Sequence, residues 1–157
     1  MRFFINSWLS ILFIFTLSLG KGIKAPDFAL PDENGTIVKL SALKGNVVVL
    51  VFWATTCGVC QKELPEISFL VDEYKNKPVK FYAVVINSDN IQEIKKVKKK
   101  WGFDIPVLIG DYETVKNYRI IGTPIIYILR KDLTIGKIFY GHTPIKKLKK
   151  YIDKFLK

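Results

Sequence analysis

Positions 47–53 read Val-Val-Val-Leu-Val-Phe-Trp, a run of seven apolar residues without a polar interruption. As a strand, such a run has no side to offer to water, so it must be covered on both faces. A chain that contains it needs one layer of structure above the strand and another below. This disfavours a sheet with one wet face and favours a central sheet flanked by helices. The 157 residues suffice for one such domain, and nothing in the length asks for two.

The flanking patterns supply those layers. Upstream, Ala25-Pro26-Asp27-Phe28 leads to Asn34-Gly35 between apolar stretches, a strong β-hairpin signal. Downstream, the spacing predicts a helix from near Cys57 that turns Leu64, Ile67, Leu70 and Tyr74 inward, with Pro65 kinking it. A second buried strand is expected at 81–86, then a helix with the apolar stripe Ile91, Ile94, Val97 and Trp101. A short strand near Val107 and a small helix at 114–118 follow. The last third reads as strand 125–129, a turn at Lys131-Asp132, and strand 135–140. Thr143 and Pro144 suit the N-cap and first position of a terminal helix carrying Ile145, Leu148, Ile152 and Phe155 inward. The order is hairpin, βαβαβ, then ββα. The predicted fold is α/β, with a mixed central sheet, mostly parallel with an antiparallel edge, and an N-terminal hairpin extension.

The first twenty residues are of another kind. Met1-Arg2 precedes an almost wholly apolar stretch at 3–19, and Ser18 and Gly20 are small enough for cleavage after Gly20. Residues 1–20 therefore read as a signal peptide or an N-terminal membrane anchor, and residues 25–157 as the folded domain. Either way Lys21 onward is expected outside the cytoplasm, in the periplasm or on the outer face of the inner membrane. No cysteine follows the apolar stretch to take a lipid. The net charge of +11, from 25 basic and 14 acidic residues, is concentrated in lysines at 95–100 and 146–150. Apolar residues interrupt both runs at helical spacing, so they read as solvated helix faces. No arginine cluster or stacking platform accompanies them, which argues against a nucleic-acid partner.

The chain has two cysteines, Cys57 and Cys60, where the buried strand gives way to a helix. Helix N-termini carry unpaired amides and the positive end of the dipole, so a thiol there loses its proton more readily. A thiolate at Cys57 can attack a disulfide to form a mixed disulfide, which Cys60, one turn inward, can resolve. Cys57 is thus expected to be the exposed nucleophile and Cys60 the buried resolving thiol. Three other readings compete: a structural disulfide, a zinc site and two unrelated buried cysteines. The first would close a loop of only two intervening residues and constrain little. Zinc usually needs four ligands, and beyond the cysteines there is a single histidine, His142. No metal and no cofactor is expected. His142 lies at a strand-to-helix junction with no motif around it and reads as a surface or capping residue.

The segment VVVLVFWATTCGVCQKELP, at 47–65, resembles the active-site region of the TlpA/ResA-like thiol–disulfide oxidoreductases of the thioredoxin superfamily. Ala25-Pro26-Asp27-Phe28 and Gly122-Thr123-Pro124 fit the same pattern, and the likeness runs over almost the whole chain past its N-terminal segment. The resemblance implies a thioredoxin-like fold and a redox-active disulfide between Cys57 and Cys60. It also implies a cis-proline at Pro124 facing that disulfide, with the Thr123 backbone pairing a substrate strand. Glu63 matches a glutamate that the family keeps close to its cysteines. It falls three residues after Cys60 on the same side of the helix, where a carboxylate can take the Cys60 proton. Desolvation would raise its pKa. Thioredoxins proper carry a buried aspartate where this chain has Val51. Thr56 and Val59 depart from the aromatic and the proline common beside the family's cysteines, so no redox potential carries over.

By resemblance the protein is expected to be an enzyme, a monomeric protein disulfide reductase. It would act on disulfide-bearing exported clients and draw electrons from a membrane thiol carrier, in cytochrome c maturation or similar thiol maintenance. Two rivals remain. One is a peroxiredoxin-like peroxidase attacking peroxide through Cys60, which lacks the expected threonine at position 57. The other is a non-enzymatic module that holds a client or copper. Peroxide consumption marks the first, and absence of disulfide turnover the second.

Overall fold

The computed structural model describes residues 22–157. The apolar stretch at 3–19, with its reading as signal or anchor, lies outside the described residues. Among the described residues, no helix is long and apolar enough to cross a membrane.

The run that constrained the fold is strand β3, Val47–Trp53, with all seven side chains buried. The chain reaches it through the hairpin strands β1 (Ala29–Pro31) and β2 (Ile37–Lys39) and a short 3₁₀ turn, Leu40–Leu43. After it come α1 (Gly58–Glu73), β4 (Val79–Val85), α2 (Ile91–Trp101), β5 (Val107–Ile109) and α3 (Tyr112–Asn117). Strands β6 (Ile125–Leu129) and β7 (Ile135–Tyr140) and helix α4 (Ile145–Leu156) complete the chain. The main sheet has five strands in the order β5-β4-β3-β6-β7, and β1-β2 form a separate ribbon. β3 pairs in parallel with β4, and β4 with β5; β3–β6 and β6–β7 are antiparallel. The sheet is therefore evenly divided rather than mostly parallel. The cause is β6, which enters beside β3 running the opposite way and carries β7 with it through a tight turn.

Side-chain alternation along β3 divides the core in two. Val47, Val49, Val51 and Trp53 face the layer that includes Leu64 and Ile67 of α1, Ile94 of α2, and Leu148 of α4. Val48, Leu50 and Phe52 face the hairpin side, with Phe28, Leu30 and Tyr118. Burying each such side chain contributes about 1.5–3 kcal/mol. Trp53 ends the strand with Trp101 and Phe103 packed edge-on against it, both ring centroids 5.4 Å away.

The local predictions met the structure unevenly. β4 starts at Val79, two residues before the expected 81, because Val79 pairs with Val47 across the sheet. Thr143 does not cap α4. The helix begins after Pro144 with no side-chain cap, and the Thr143 amide is directed elsewhere. Most of the lysines are solvated as expected, but Lys98 is not. It forms an ion pair of 2.6 Å with Glu33 of the hairpin loop, both side chains largely covered.

The inner face of α1 docks the helix that carries the cysteine pair. Replacing buried Leu64 with alanine is expected to cost about 2–5 kcal/mol. Phe69→Ala, on the same helix but 76% exposed, is expected to change stability by no more than about 0.5 kcal/mol. Equilibrium urea denaturation measures both, and equal losses would contradict this packing.

A disulfide site at the head of helix α1

β3 is held on both sides, so its end is fixed, and the three residues after Trp53 deliver Cys57 to the start of α1. Cys57 is the N-cap: its backbone is extended, with φ −88° and ψ 105°, and its sulfur accepts the backbone N–H of Cys60 at 3.2 Å. The Cys57 carbonyl accepts the Gln61 amide at 3.2 Å, the first rung of the helix. A sulfur at this position therefore satisfies an amide that the helix leaves without a partner. A disulfide joins Cys57 and Cys60, whose Cα atoms are 5.3 Å apart. Cys57 is partly exposed, while Cys60 is buried in the core. That asymmetry agrees with the order of exposure expected from their places on the helix.

Glu63 follows one turn later and is fully buried. Its Oε1 accepts the backbone N–H of Thr143 at 2.7 Å. Its Oε2 is buried and has no hydrogen-bond partner among the described residues. A buried polar atom left in this way is uncommon and calls for a reason. Burial pushes the Glu63 carboxyl above the usual carboxylate range. The Thr143 amide and the nearby His142 pull it back down, and Glu66 pushes it up again.

The Thr123–Pro124 bond is cis, as the resemblance implies. Register places it: Phe52 pairs with Ile125, so Pro124 is level with Trp53, at the sheet end where β3 hands over to the cysteines. Pro124 is buried, and its carbonyl accepts the Gly141 amide at 2.9 Å. Neither backbone group of Thr123 takes a backbone partner among the described residues. Gly141 adopts φ +72°, a conformation that glycine enters without strain. The turn it opens ties together two residues remote in sequence, since Gly141 holds Pro124 while Thr143 holds Glu63.

His142 and Thr143 were missed as members of this site. His142, expected on the surface, is half-exposed but places Nδ1 3.8 Å from Glu63 Oε1. Thr143 lends its backbone, which carries no residue-type signal. The one sequence hint was that the only histidine falls in the turn after β7.

A disulfide on a helix N-cap, with a cis-proline at the same end of the sheet just before the neighbouring strand, fits the class of dithiol–disulfide exchange proteins. The AhpC/TSA family model matches residues 22–138. The chain is 31% identical over 134 residues to "Thiol-disulfide oxidoreductase ResA" of Bacillus thuringiensis subsp. konkukian, covering 85% of this chain and 77% of the relative. The ResA of Bacillus subtilis is 30% identical, over 79% of this chain and 69% of its own. Among solved structures, a thiol:disulfide interchange protein DsbE of Chlorobium tepidum superposes with a TM-score of 0.78 at 31% identity, covering 89% of this chain and all of that one. StoA of Bacillus subtilis superposes with a TM-score of 0.69 at 25% identity, over 81% and 96%. The chain belongs to the AhpC/TSA family and is a thiol–disulfide oxidoreductase of the ResA and DsbE type, with a thioredoxin-like fold.

The raised Glu63 pKa has a stability consequence of definite sign. The folded state holds the Glu63 proton more tightly than the unfolded chain does. Its contribution is thus complete below the ordinary glutamate range, near about 4.3, and is lost as pH rises through the folded value. Glu63→Gln escapes that loss. Relative to wild type it is expected to be more stable at pH 7 than at pH 4, measured by urea denaturation of the oxidised proteins. A difference that does not change with pH would contradict the burial account.

Proposed function

We propose that the protein reduces disulfides of exported client proteins, with Cys57 as nucleophile, Cys60 as resolving thiol and Glu63 as proton acceptor. The observation that carries this is the Cys57 sulfur at the α1 N-cap, already accepting the Cys60 amide. When reduced, a thiolate there receives a charge-assisted hydrogen bond and the helix dipole in addition. The Cys57 thiolate attacks one sulfur of the client disulfide, and the other client sulfur leaves as thiolate and takes a proton. The Cys60 thiol then passes its proton to Glu63 Oε2 and attacks the Cys57 sulfur, releasing the second client thiolate. Two electrons move to the client, and the protein ends in the disulfide state described above. A membrane thiol carrier returns it to the dithiol.

Thr123 gives the client somewhere to bind. Its unpaired backbone groups at the end of β6 can add an extended client segment beside Pro124. Placement outside the cytoplasm rests on the sequence at 1–20, with a basic start and an apolar stretch. Clients there would include proteins whose paired cysteines must be reduced before they take haem or copper, as in cytochrome c maturation. Peroxide attack by Cys60 is disfavoured, since that sulfur is buried and its partner Cys57 is the exposed one.

Cys60→Ser is expected to accumulate a mixed disulfide with a disulfide-bearing client peptide, and Cys57→Ser to form none, read by mass spectrometry without reductant. A reduction potential near or below about −250 mV would fit a reductant, and one near about −120 mV an oxidant. Trapping through Cys60 in the Cys57→Ser variant would reverse the assigned roles.

A further inference from the structure

We propose that His142 is a positioning residue for Glu63: its imidazole stands against the buried carboxylate and, in its charged form, keeps that carboxylate able to accept the Cys60 proton. The inference rests on the reading of Glu63 as proton acceptor and adds the group that controls it.

The geometry is specific. His142 lies on the turn between β7 and α4, directly after Gly141 and before Thr143. Its Nδ1 is 3.8 Å from Glu63 Oε1, with its own side chain 52% exposed and that of Glu63 almost wholly covered. The same Oε1 accepts the Thr143 amide. Two consecutive residues thus bring a neutral donor and a titratable group to one carboxylate oxygen. Among the described residues Oε2 stays buried without a partner, which leaves it as the free end to receive a proton.

The charges around Glu63 are few. On α1, Glu66 acts against ionisation; from the β7–α4 turn, His142 acts for it. Cys60, three residues earlier on α1, becomes a titratable thiol only when the disulfide is reduced. Burial drives the Glu63 carboxyl toward its neutral form, and a neutral carboxylic acid cannot take a proton from Cys60. A positive charge beside Oε1 opposes that loss. A protonated His142 imidazole places that charge 3.8 Å from Oε1 and favours the ionised carboxylate behind it. A neutral side chain at position 142 would leave Glu63 to protonate at higher pH, and the resolving step would fail earlier on acidification.

Three variants test this: His142→Gln, which cannot carry charge, His142→Lys, which always does, and Glu63→Gln. Carboxyl carbon-13 NMR of the oxidised protein follows the Glu63 titration. Its midpoint is expected to move to higher pH in His142→Gln and to return towards wild type in His142→Lys. The second readout is the decay of a Cys57–glutathione mixed disulfide by Cys60 attack between pH 5 and 8. His142→Gln is expected to resolve it about three- to tenfold more slowly at pH 5.5, the deficit closing towards pH 8. If Glu63→Gln leaves the pH profile of that decay unaltered, Glu63 is not the acceptor and the reading beneath this inference falls. If Glu63→Gln alters the profile while His142→Gln moves neither the carboxyl titration nor the decay, the inference alone is overturned.

Discussion

The hydrogen bond from the Cys60 amide to the Cys57 sulfur is the contact on which the rest of the site depends. It requires the sulfur to occupy the N-cap of a helix whose axis cannot wander, and the core enforces both conditions. β3 is buried along its whole length between two apolar layers, so its last residue has one place to be. α1 is docked on one of those layers through Leu64, Ile67 and Leu70. The connection between them is short enough that Cys57 has little choice of position. A helix N-terminus left open would meet its amides with water or an anion; here it meets them with a reactive sulfur.

Against this rigid frame the carboxylate of Glu63 is the costly element. A buried ionisable group with one oxygen unpartnered works against folding, and mutational experience gives such groups a price that a stable core must cover. The chain nonetheless supplies Glu63 with a partner from far along the sequence, the Thr143 amide, and secures the donor's turn through Gly141 and Pro124. That arrangement satisfies Oε1 and leaves Oε2 buried without a partner among the described residues. A polar group kept half-satisfied is what the proposed proton transfer from Cys60 would require. The same turn carries His142 at the solvent boundary, its Nδ1 3.8 Å from Glu63 Oε1.

How much of this could be read beforehand follows from range in sequence. β3, β6 and β7 have the bounds that their residues predict, because β-branched runs and turn residues mark strands locally. The cysteine pair was legible for the same reason: it lies within a few residues of a strand end and a helix start. The pairings were less so. That β6 runs antiparallel to β3 depends on a crossing that no local period records, and it turned an expected mostly parallel sheet into an evenly mixed one. Thr143 was assigned to its own helix because threonine before proline suits an N-cap. Its amide instead serves a residue eighty positions away, and backbone donors leave no trace in side-chain type. Lys98 looked like its solvated neighbours until the hairpin placed Glu33 against it.

The central claim is that position at the head of α1, not the mere presence of two thiols, makes Cys57 the reactive sulfur. Isotope-coded alkylation of the reduced protein across pH, with each cysteine quantified by mass spectrometry, measures this directly. The account predicts that Cys57 is modified first and at lower pH than Cys60, which stays protected until the helix is unfolded. Equal reactivity, or modification of Cys60 first, would contradict it.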